Sequence, residues 1–221
     1  MKINEVYSQV INVTQKVIRL GLTVQENRPY RNKNIVAWEG LKNLSTALKS
    51  IPYYEKFSVI SDEDNFNFKF ADGALVQMLY EFDITGGKLK KHRLVYFPAP
   101  NLERYDENIE EYNGPYFGDS EFHDLLDKHI VSVPLRFDYS DDDQHYVECD
   151  HPYSHLTLGE FKNCRIPVSK PVTPNSFINF VLHSFYKTVI RDYCDNFRFN
   201  VDSQFEFTIS NKETTLLFVD P

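Results

Sequence analysis

Residues 66–97, FNFKFADGALVQMLYEFDITGGKLKKHRLVYF, carry the pattern that decides the fold. From Phe66 to Phe70 phenylalanines alternate with polar residues, as side chains on the two faces of a β-strand do. Asp72-Gly73 and Gly86-Gly87 are turn signals that divide the stretch into extended pieces. The sequence therefore predicts an antiparallel meander of three strands, at about residues 66–70, 74–84 and 92–97.

Helical patterns lie on both sides of this meander. Apolar residues recur every three or four positions over residues 3–20, and Gly21 ends that helix. The same spacing, from Trp38 to Leu48, predicts a second helix over residues 35–50, after a polar loop at 25–34. Thr173 as a cap, with Pro174 at the first helical position, predicts a third helix over 174–195. Between the second helix and the meander, we expect strand-like structure from about Phe57.

The remaining segments complete an α+β prediction. We expect an exposed loop at 101–120, a short helix at 122–130, and strands at 131–139, 145–149, 155–158 and 164–168. Alternating apolar residues at 204–209 and 214–219 predict a C-terminal hairpin. The predicted architecture is a single α+β domain in which long helices pack on one face of a twisted antiparallel sheet. Its parts are N-terminal helices 1–51, a strand-rich body 57–170, helix 174–195 and hairpin 204–219.

Composition limits the function classes. The net charge is −8, whereas a free-standing nucleic-acid-binding domain normally carries a basic footprint, so any nucleic acid must meet a local patch or a basic partner. Three cysteines, an odd count, do not indicate a disulfide framework. No apolar run approaches the ~20 residues of a membrane span, and the N-terminus has no signal core. We therefore expect a cytoplasmic protein with no membrane contact.

A candidate site lies between Pro134 and Pro171, where three of the seven histidines occur. Imidazole and carboxylate groups bind divalent metals, and histidine is a general base near neutral pH. The segment contains no HExxH and no CxxC motif, so an ordinary loop is the competing interpretation. We expect His155 to be buried and its imidazole to hydrogen-bond a carboxylate or a backbone carbonyl, with Asp138 or Asp150 as the leading candidate. The candidate catalytic residues are His145, Asp150, His151 and His155; the candidate metal ligands are Asp138, Asp150, His151 and His155.

Two weaker signals complete the list of candidates. His155-Leu156-Thr157-Leu158 resembles half of the two-histidine phosphoesterase signature, but His183-Ser184 has the wrong offset to supply the other half. Basic side chains suited to phosphate contacts form the second signal. These candidate binding residues are Arg165, Lys88, Lys90, Lys91 and Arg93.

Several phrases together resemble a bacterial domain-of-unknown-function family. They cover residues 71–82, 92–100, 134–139, 151–159, 164–169 and 171–186, with HPYSHLTLG at 151–159 among the most specific. Some members of that family are encoded beside a helicase in two-gene anti-phage modules. The resemblance implies a helicase partner but supplies no catalytic residues.

The resemblance thus implies an accessory or effector subunit of a bacterial anti-phage defence system that acts with a helicase. We expect an adaptor or sensor without a cofactor that engages the helicase, nucleic acid, or both. The alternative is a metal-dependent nuclease or phosphoesterase that uses the His145, Asp150, His151 and His155 cluster with a divalent metal. The positions of these side chains distinguish the two hypotheses, because an enzyme needs at least two of them around one shared atom.

Overall fold

The predicted meander is the centre of one large sheet. The computed structural model describes residues 1–43, 51–100, 133–161, 163–186, 199 and 204–221. Within these residues nine strands form a single open antiparallel sheet. The strands are β1 (Thr23–Glu26), β2 (Pro29–Asn32), β3 (Ile35–Trp38), β4 (Phe68–Phe70), β5 (Leu75–Phe82), β6 (Leu89–Phe97), β7 (Leu135–Ser140), β8 (Ser154–Leu158) and β9 (Ile166–Pro167).

The sheet runs in the order β1-β4-β5-β6-β7-β8-β9, and the β2-β3 ribbon joins β5 next to β4. The two predicted turns connect β4 to β5 and β5 to β6, as expected. Gly73 and Gly86 have φ angles of +83° and +71° there, a region that glycine enters without steric cost. The meander prediction is therefore confirmed.

Three α-helices accompany the sheet among the described residues: α1 (Ile3–Arg19), α2 (Tyr53–Asp62) and α3 (Pro174–Phe185). The first predicted helix is confirmed as α1, whose buried residues recur at three- and four-residue spacings. The predicted start of the third helix is also confirmed. Thr173 Oγ1 accepts the Ser176 N–H at 3.1 Å, which satisfies one of the free amides of the first turn.

The helices do not all lie on one face of the sheet. α1 and α3 contact each other and share an apolar core with Val76, Met78 and Tyr80 of β5. In α2, by contrast, Ile60 clusters with Leu75 and Val95, which alternate onto the opposite face. The prediction of helices on one face therefore holds for α1 and α3 but not for α2.

The second predicted helix, 35–50, is wrong over its first part. Residues 35–38 form β3, which pairs with β2 and with β5, and residues 41–43 have no regular structure. The β-branched pair Ile35-Val36 favours this strand, and a turn with Lys33 at φ +47° closes the ribbon. The predicted loop 25–34 contains β2 and the end of β1, and the expected strand-like start at Phe57 lies inside α2.

Two further strand predictions are wrong. Residues 145–149 form a turn with Cys149 at φ +66° and a single bridge between Val147 and His151. The predicted C-terminal hairpin is replaced by a 3-10 turn, Glu213–Thr215, and one parallel bridge from Val219 to Val168. The buried Glu213 carboxylate accepts the Ser210 N–H at 2.9 Å and stabilises that turn instead of a ladder. Of the predicted strand 164–168, only Ile166–Pro167 is a strand.

Some predictions fall outside the described residues. These are the loop at 101–120, the short helix at 122–130, residues 44–50 of the second helix, and the third helix beyond residue 186. The single-domain assignment stays a prediction.

Candidate functional site

The face of the sheet opposite α1 and α3 carries the polar residues of the central strands. In β6 and β7, side chains alternate between the two faces, so Leu94 and Phe137 enter the core while their neighbours point the other way. Arg93 lies opposite Asp138, and Asp138 lies opposite His155. Antiparallel register thus brings three distant charged or titratable residues into one row across the sheet.

Asp138 is the centre of this row. Its side chain is 15% exposed, and it accepts hydrogen bonds from Arg93 Nε at 3.2 Å and from Arg136 Nε. Burial alone would raise the pKa of Asp138, but the Arg136 and Arg93 guanidinium groups hold that pKa below its ordinary value. The carboxylate is therefore ionised at neutral pH, and it orients both guanidinium groups through their Nε atoms.

A groove of about 1000 Å³ extends over this face. Its floor includes the apolar side chains of Leu79 and Val95, and Phe161 and α2 contribute to its walls. Two carboxylates, Glu81 and Glu160, also line it. We call it the cationic groove because six cationic side chains line it: Lys42, Lys56, Lys91, Arg93, Arg136 and Arg165.

The six cations differ in how far they are neutralised. Lys42 pairs with Glu63 and Lys56 pairs with Glu160. Within the described part of the chain, Lys91 and Arg165 take part in no ion pair or side-chain hydrogen bond. Their charges are available to an anionic ligand.

The expected burial of His155 is confirmed, since the residue is 6% exposed. Its Nδ1 donates to the Pro152 carbonyl oxygen at 3.0 Å, so the neutral ring presents its Nε2 lone pair toward Asp138, with Oδ2 at 3.9 Å. Burial lowers the pKa of His155 more than the Pro152 carbonyl and Asp138 raise it. His155 therefore lies beside Asp138 at the end of the row, and its imidazole is neutral at pH 7.

The other predicted catalytic residues lie outside this row. His145 is exposed and its Nδ1 lies 2.8 Å from Asp142 Oδ2, while Asp150 is exposed in the turn before His151. The His151 ring lies 6.5 Å from the His145 ring and 5.2 Å from the His155 ring, between centroids. Burial lowers the pKa of His151, and the charge of Arg165 lowers it further.

The predicted metal ligands do not converge. Among the residues that the structure describes, no group of three or more His, Cys, Asp or Glu side chains is arranged to hold a metal ion. The carboxylate nearest to the histidines, Asp138, already accepts hydrogen bonds from two guanidinium groups. The structure thus brings Asp138 and His155 together with arginines rather than with the other proposed ligands.

The predicted phosphate-binding residues separate into two groups. Lys88 and Lys90 pair with Asp141, at 3.1 and 2.7 Å, near the β5-β6 turn. Lys91, Arg93 and Arg165 line the cationic groove. β6 begins at Leu89, three residues before the predicted strand 92–97, and strand alternation sends Lys91 and Arg93 to the groove face.

Sequence reasoning missed Arg136, Lys42, Lys56 and Phe161. A signal for Arg136 exists in residues 135–139, LRFDY, where apolar residues alternate with Arg136 and Asp138. That pattern is typical of a strand with one polar face. The positions of Lys42, Lys56 and Phe161 have no comparable signal, because they reach the groove from loops and from α2.

None of the described helices has the length and apolar character that crossing a membrane requires.

The comparisons with known proteins identify the family and nothing more specific. No curated protein and no solved structure matches the chain. Residues 22–220 match the model of DUF2290, a family described as uncharacterized conserved proteins, and this match spans most of the sequence. The chain therefore belongs to the DUF2290 family.

Proposed function

We propose that this chain is an accessory or effector subunit of a bacterial anti-phage defence system, an adaptor that engages nucleic acid through the cationic groove and acts with a helicase. The observation that carries the nucleic-acid contact is the concentration of six cations along one groove of a chain whose net charge is −8. A local cationic cleft attracts a polyanion even when the rest of the surface repels it, because field lines concentrate in the cleft.

The chemistry of the Arg93–Asp138 row supports binding rather than proton transfer. Asp138 is held ionised by two guanidinium groups, so it is a poor general acid at neutral pH. Each arginine bonds Asp138 through Nε, which leaves the terminal nitrogens for a second partner. Guanidinium groups fixed in this way suit contacts with phosphate oxygens.

The helicase partner comes from the family resemblance, and the charge of the chain supports it. A net charge of −8 favours docking to a more basic protein. In such a complex the helicase would supply the motor, and this chain would supply a second contact with the nucleic acid.

A metal-dependent nuclease or phosphoesterase is the second candidate. The observation in its favour is the succession of His145, His151 and His155 rings, with neighbouring centroids 6.5 and 5.2 Å apart. A ligand that drew these rings together would create a site for a divalent metal, which activates water for phosphoryl chemistry. The two candidates differ in whether the nucleic acid is cleaved.

The test of the adaptor function is binding of fluorescent oligonucleotides between about 50 and about 200 mM salt. We expect affinity to fall steeply with salt. The double variant Lys91→Gln/Arg165→Gln should lower the magnitude of the logarithmic salt slope by about 2, because two phosphate contacts are lost. The control, Arg28→Gln/Lys33→Gln, removes the same charge from exposed positions outside the groove and should change affinity less than about twofold. Equal effects of both variants would contradict the assignment of the groove.

Two further measurements test the rest of the proposal. Co-expression with the helicase encoded beside the gene should yield a complex, and phage resistance should be lost with the Lys91→Gln/Arg165→Gln variant. Absence of a complex, together with resistance that survives deletion of this gene, would refute the defence role. Cleavage of the oligonucleotides with added Mg²⁺, Mn²⁺ or Zn²⁺ that is lost in His151→Ala would favour the second candidate.

A further inference from the structure

One aromatic side chain on the wall of the cationic groove is unusually exposed. Phe161 follows β8 and is 74% exposed, although it lines the same groove as Arg136 and Arg165. A ring that is this exposed contributes little to the apolar core. Its flat surface lies in a groove that cationic side chains also line.

The backbone that carries Phe161 is anchored to the rest of the fold just before this residue. Gly159, at φ +65°, donates its N–H to the Pro134 carbonyl oxygen at 2.7 Å, and the Cys164 N–H donates to the Phe161 carbonyl oxygen at 3.2 Å. Glu160 pairs with Lys56 of α2 across the groove. The exposed ring therefore follows two residues, Gly159 and Glu160, that are bonded to other parts of the fold.

An aromatic ring that lines the same groove as arginines has a specific chemical complement. Unpaired bases stack on aromatic side chains irrespective of their identity, while the phosphates between them meet cationic groups. In a duplex the faces of the bases are already stacked on one another, so a duplex offers this site its phosphates alone.

We infer that the cationic groove binds single-stranded nucleic acid, with Phe161 as a stacking platform for a base and with Arg136, Arg165 and Lys91 as contacts for the adjoining phosphates. This inference rests on the proposed function and narrows it from nucleic acid in general to unpaired strands. Single strands are also what a helicase partner produces when it separates a duplex.

The test compares oligo(dT), oligo(U) and a duplex, each about 12 nucleotides long, in the same binding assay. Phe161→Ala removes the ring, and Phe161→Trp keeps a stacking surface. The matched control is Phe207→Ala, because Phe207 is 69% exposed, lies next to a cation (Lys170 Nζ, 4.9 Å from the ring centroid), and is outside the groove. Both phenylalanines are exposed, so the thermal unfolding of the variants should match that of the unmodified chain.

We expect the unmodified chain to bind at least one of the single strands at least about tenfold more tightly than the duplex. Phe161→Ala should weaken single-strand binding by at least about fivefold and leave duplex binding within about twofold. Phe161→Trp should retain the affinity, and Phe207→Ala should have no effect. The tighter of oligo(dT) and oligo(U) is the strand that the groove prefers.

Two results would overturn the inference, and they are distinguishable. If the duplex binds as tightly as the single strands and only the Lys91→Gln/Arg165→Gln variant weakens binding, the stacking site is wrong while the adaptor function stands. If neither the single strands nor the duplex binds, the inference and the nucleic-acid contact of the proposed function both fail.

Discussion

The two faces of the central sheet are built from the same strands and differ in almost every other respect. On one face, Val76, Met78 and Tyr80 of β5 lie fully buried beneath α1 and α3. On the other, the alternate residues of β6 and β7 include Arg93, Arg136 and Asp138, and Ile60 of α2 packs against Leu75 and Val95. The first face therefore carries the larger apolar core, and the second, which has a smaller apolar cluster, is the face on which we propose that nucleic acid binds.

The comparison also explains where the burial of charge is tolerated. Asp138 stays ionised although its side chain is only 15% exposed, because two arginines compensate its charge. On the apolar face, the buried His92 stays neutral, and burial lowers its pKa to about 3. Substitutions and changes of pH should therefore alter the free energy of unfolding differently on the two faces.

The largest expected effect is on the apolar face. Phe177 of α3 is fully buried and packs edge-on against Phe137, with ring centroids 6.0 Å apart. Phe177→Ala should reduce the free energy of unfolding by about 3–5 kcal/mol, because it removes a large apolar side chain and leaves a cavity. Urea denaturation measures this loss.

The matched change on the groove face is Lys91→Ala. Lys91 is exposed, so its removal should alter the free energy of unfolding by no more than about 0.5 kcal/mol while weakening anion binding. A loss of stability as large as that of Phe177→Ala would show that the groove face, too, is needed for folding.

The next effect concerns the contact between α1 and the β5-β6 turn. A Cβ added at Gly86 would lie 2.6 Å from Ile3 Cγ2, and Gly86 has a φ of +71°. Gly86→Ala should therefore cost about 2–4 kcal/mol, from left-handed backbone strain and steric overlap together. Gly40→Ala measures the cost of the left-handed backbone alone, because Gly40 has a φ of +82° and open space around the added Cβ. Equal costs for the two variants would contradict the close packing of Ile3 on this turn.

A loss of stability smaller than that of Gly86→Ala originates at His92 and depends on pH. The Val172 N–H donates to His92 Nε2 at 3.0 Å, and the ring packs between Tyr80 and Tyr139. Burial lowers the pKa of His92 from 6.5 to about 3, although Asp138 opposes this shift. Between these two pH values the unfolded chain binds the proton and the folded chain does not, so stability is complete above about pH 6.5 and falls on acidification.

The measurement compares the free energy of unfolding at about pH 7.5 and about pH 5.5. The unmodified chain should lose about 1 kcal/mol more than His92→Gln over this interval, because glutamine accepts the Val172 N–H but does not titrate. If the two chains lose the same amount, then His92 does not control this part of the pH dependence.

The sequence predicts the centre of the sheet well for a physical reason. Around Asp72-Gly73 and Gly86-Gly87, the turn chemistry and the alternation of side chains agree, so local preference and tertiary structure coincide. The error at residues 35–50 has the opposite cause. Trp38 matches a helical spacing with the leucines that follow, but pairing of β3 with β5 outweighs that weak local preference.

The cationic groove could be predicted only in part. Lys91, Arg93 and Arg165 are candidate phosphate contacts from the sequence, whereas the alternation in residues 135–139 indicates only that Arg136 lies on the polar face of a strand. Strand register brings Arg93, Asp138 and His155 into one row, and register depends on pairings between distant segments. The histidines that are close in sequence do not surround one shared atom, because Cys149 at φ +66° turns the chain before His151.

The central claim is that nucleic acid lies in the cationic groove, and photo-cross-linking tests it most directly. The chain would be irradiated with a single-stranded oligonucleotide that contains 4-thiothymidine, and the linked peptides would be identified by mass spectrometry. The account predicts cross-links in the peptides that carry Phe161, Arg136 and Lys91, and their loss in Lys91→Gln/Arg165→Gln. Cross-links on the outer surfaces of α1 and α3, unchanged in that variant, would contradict it.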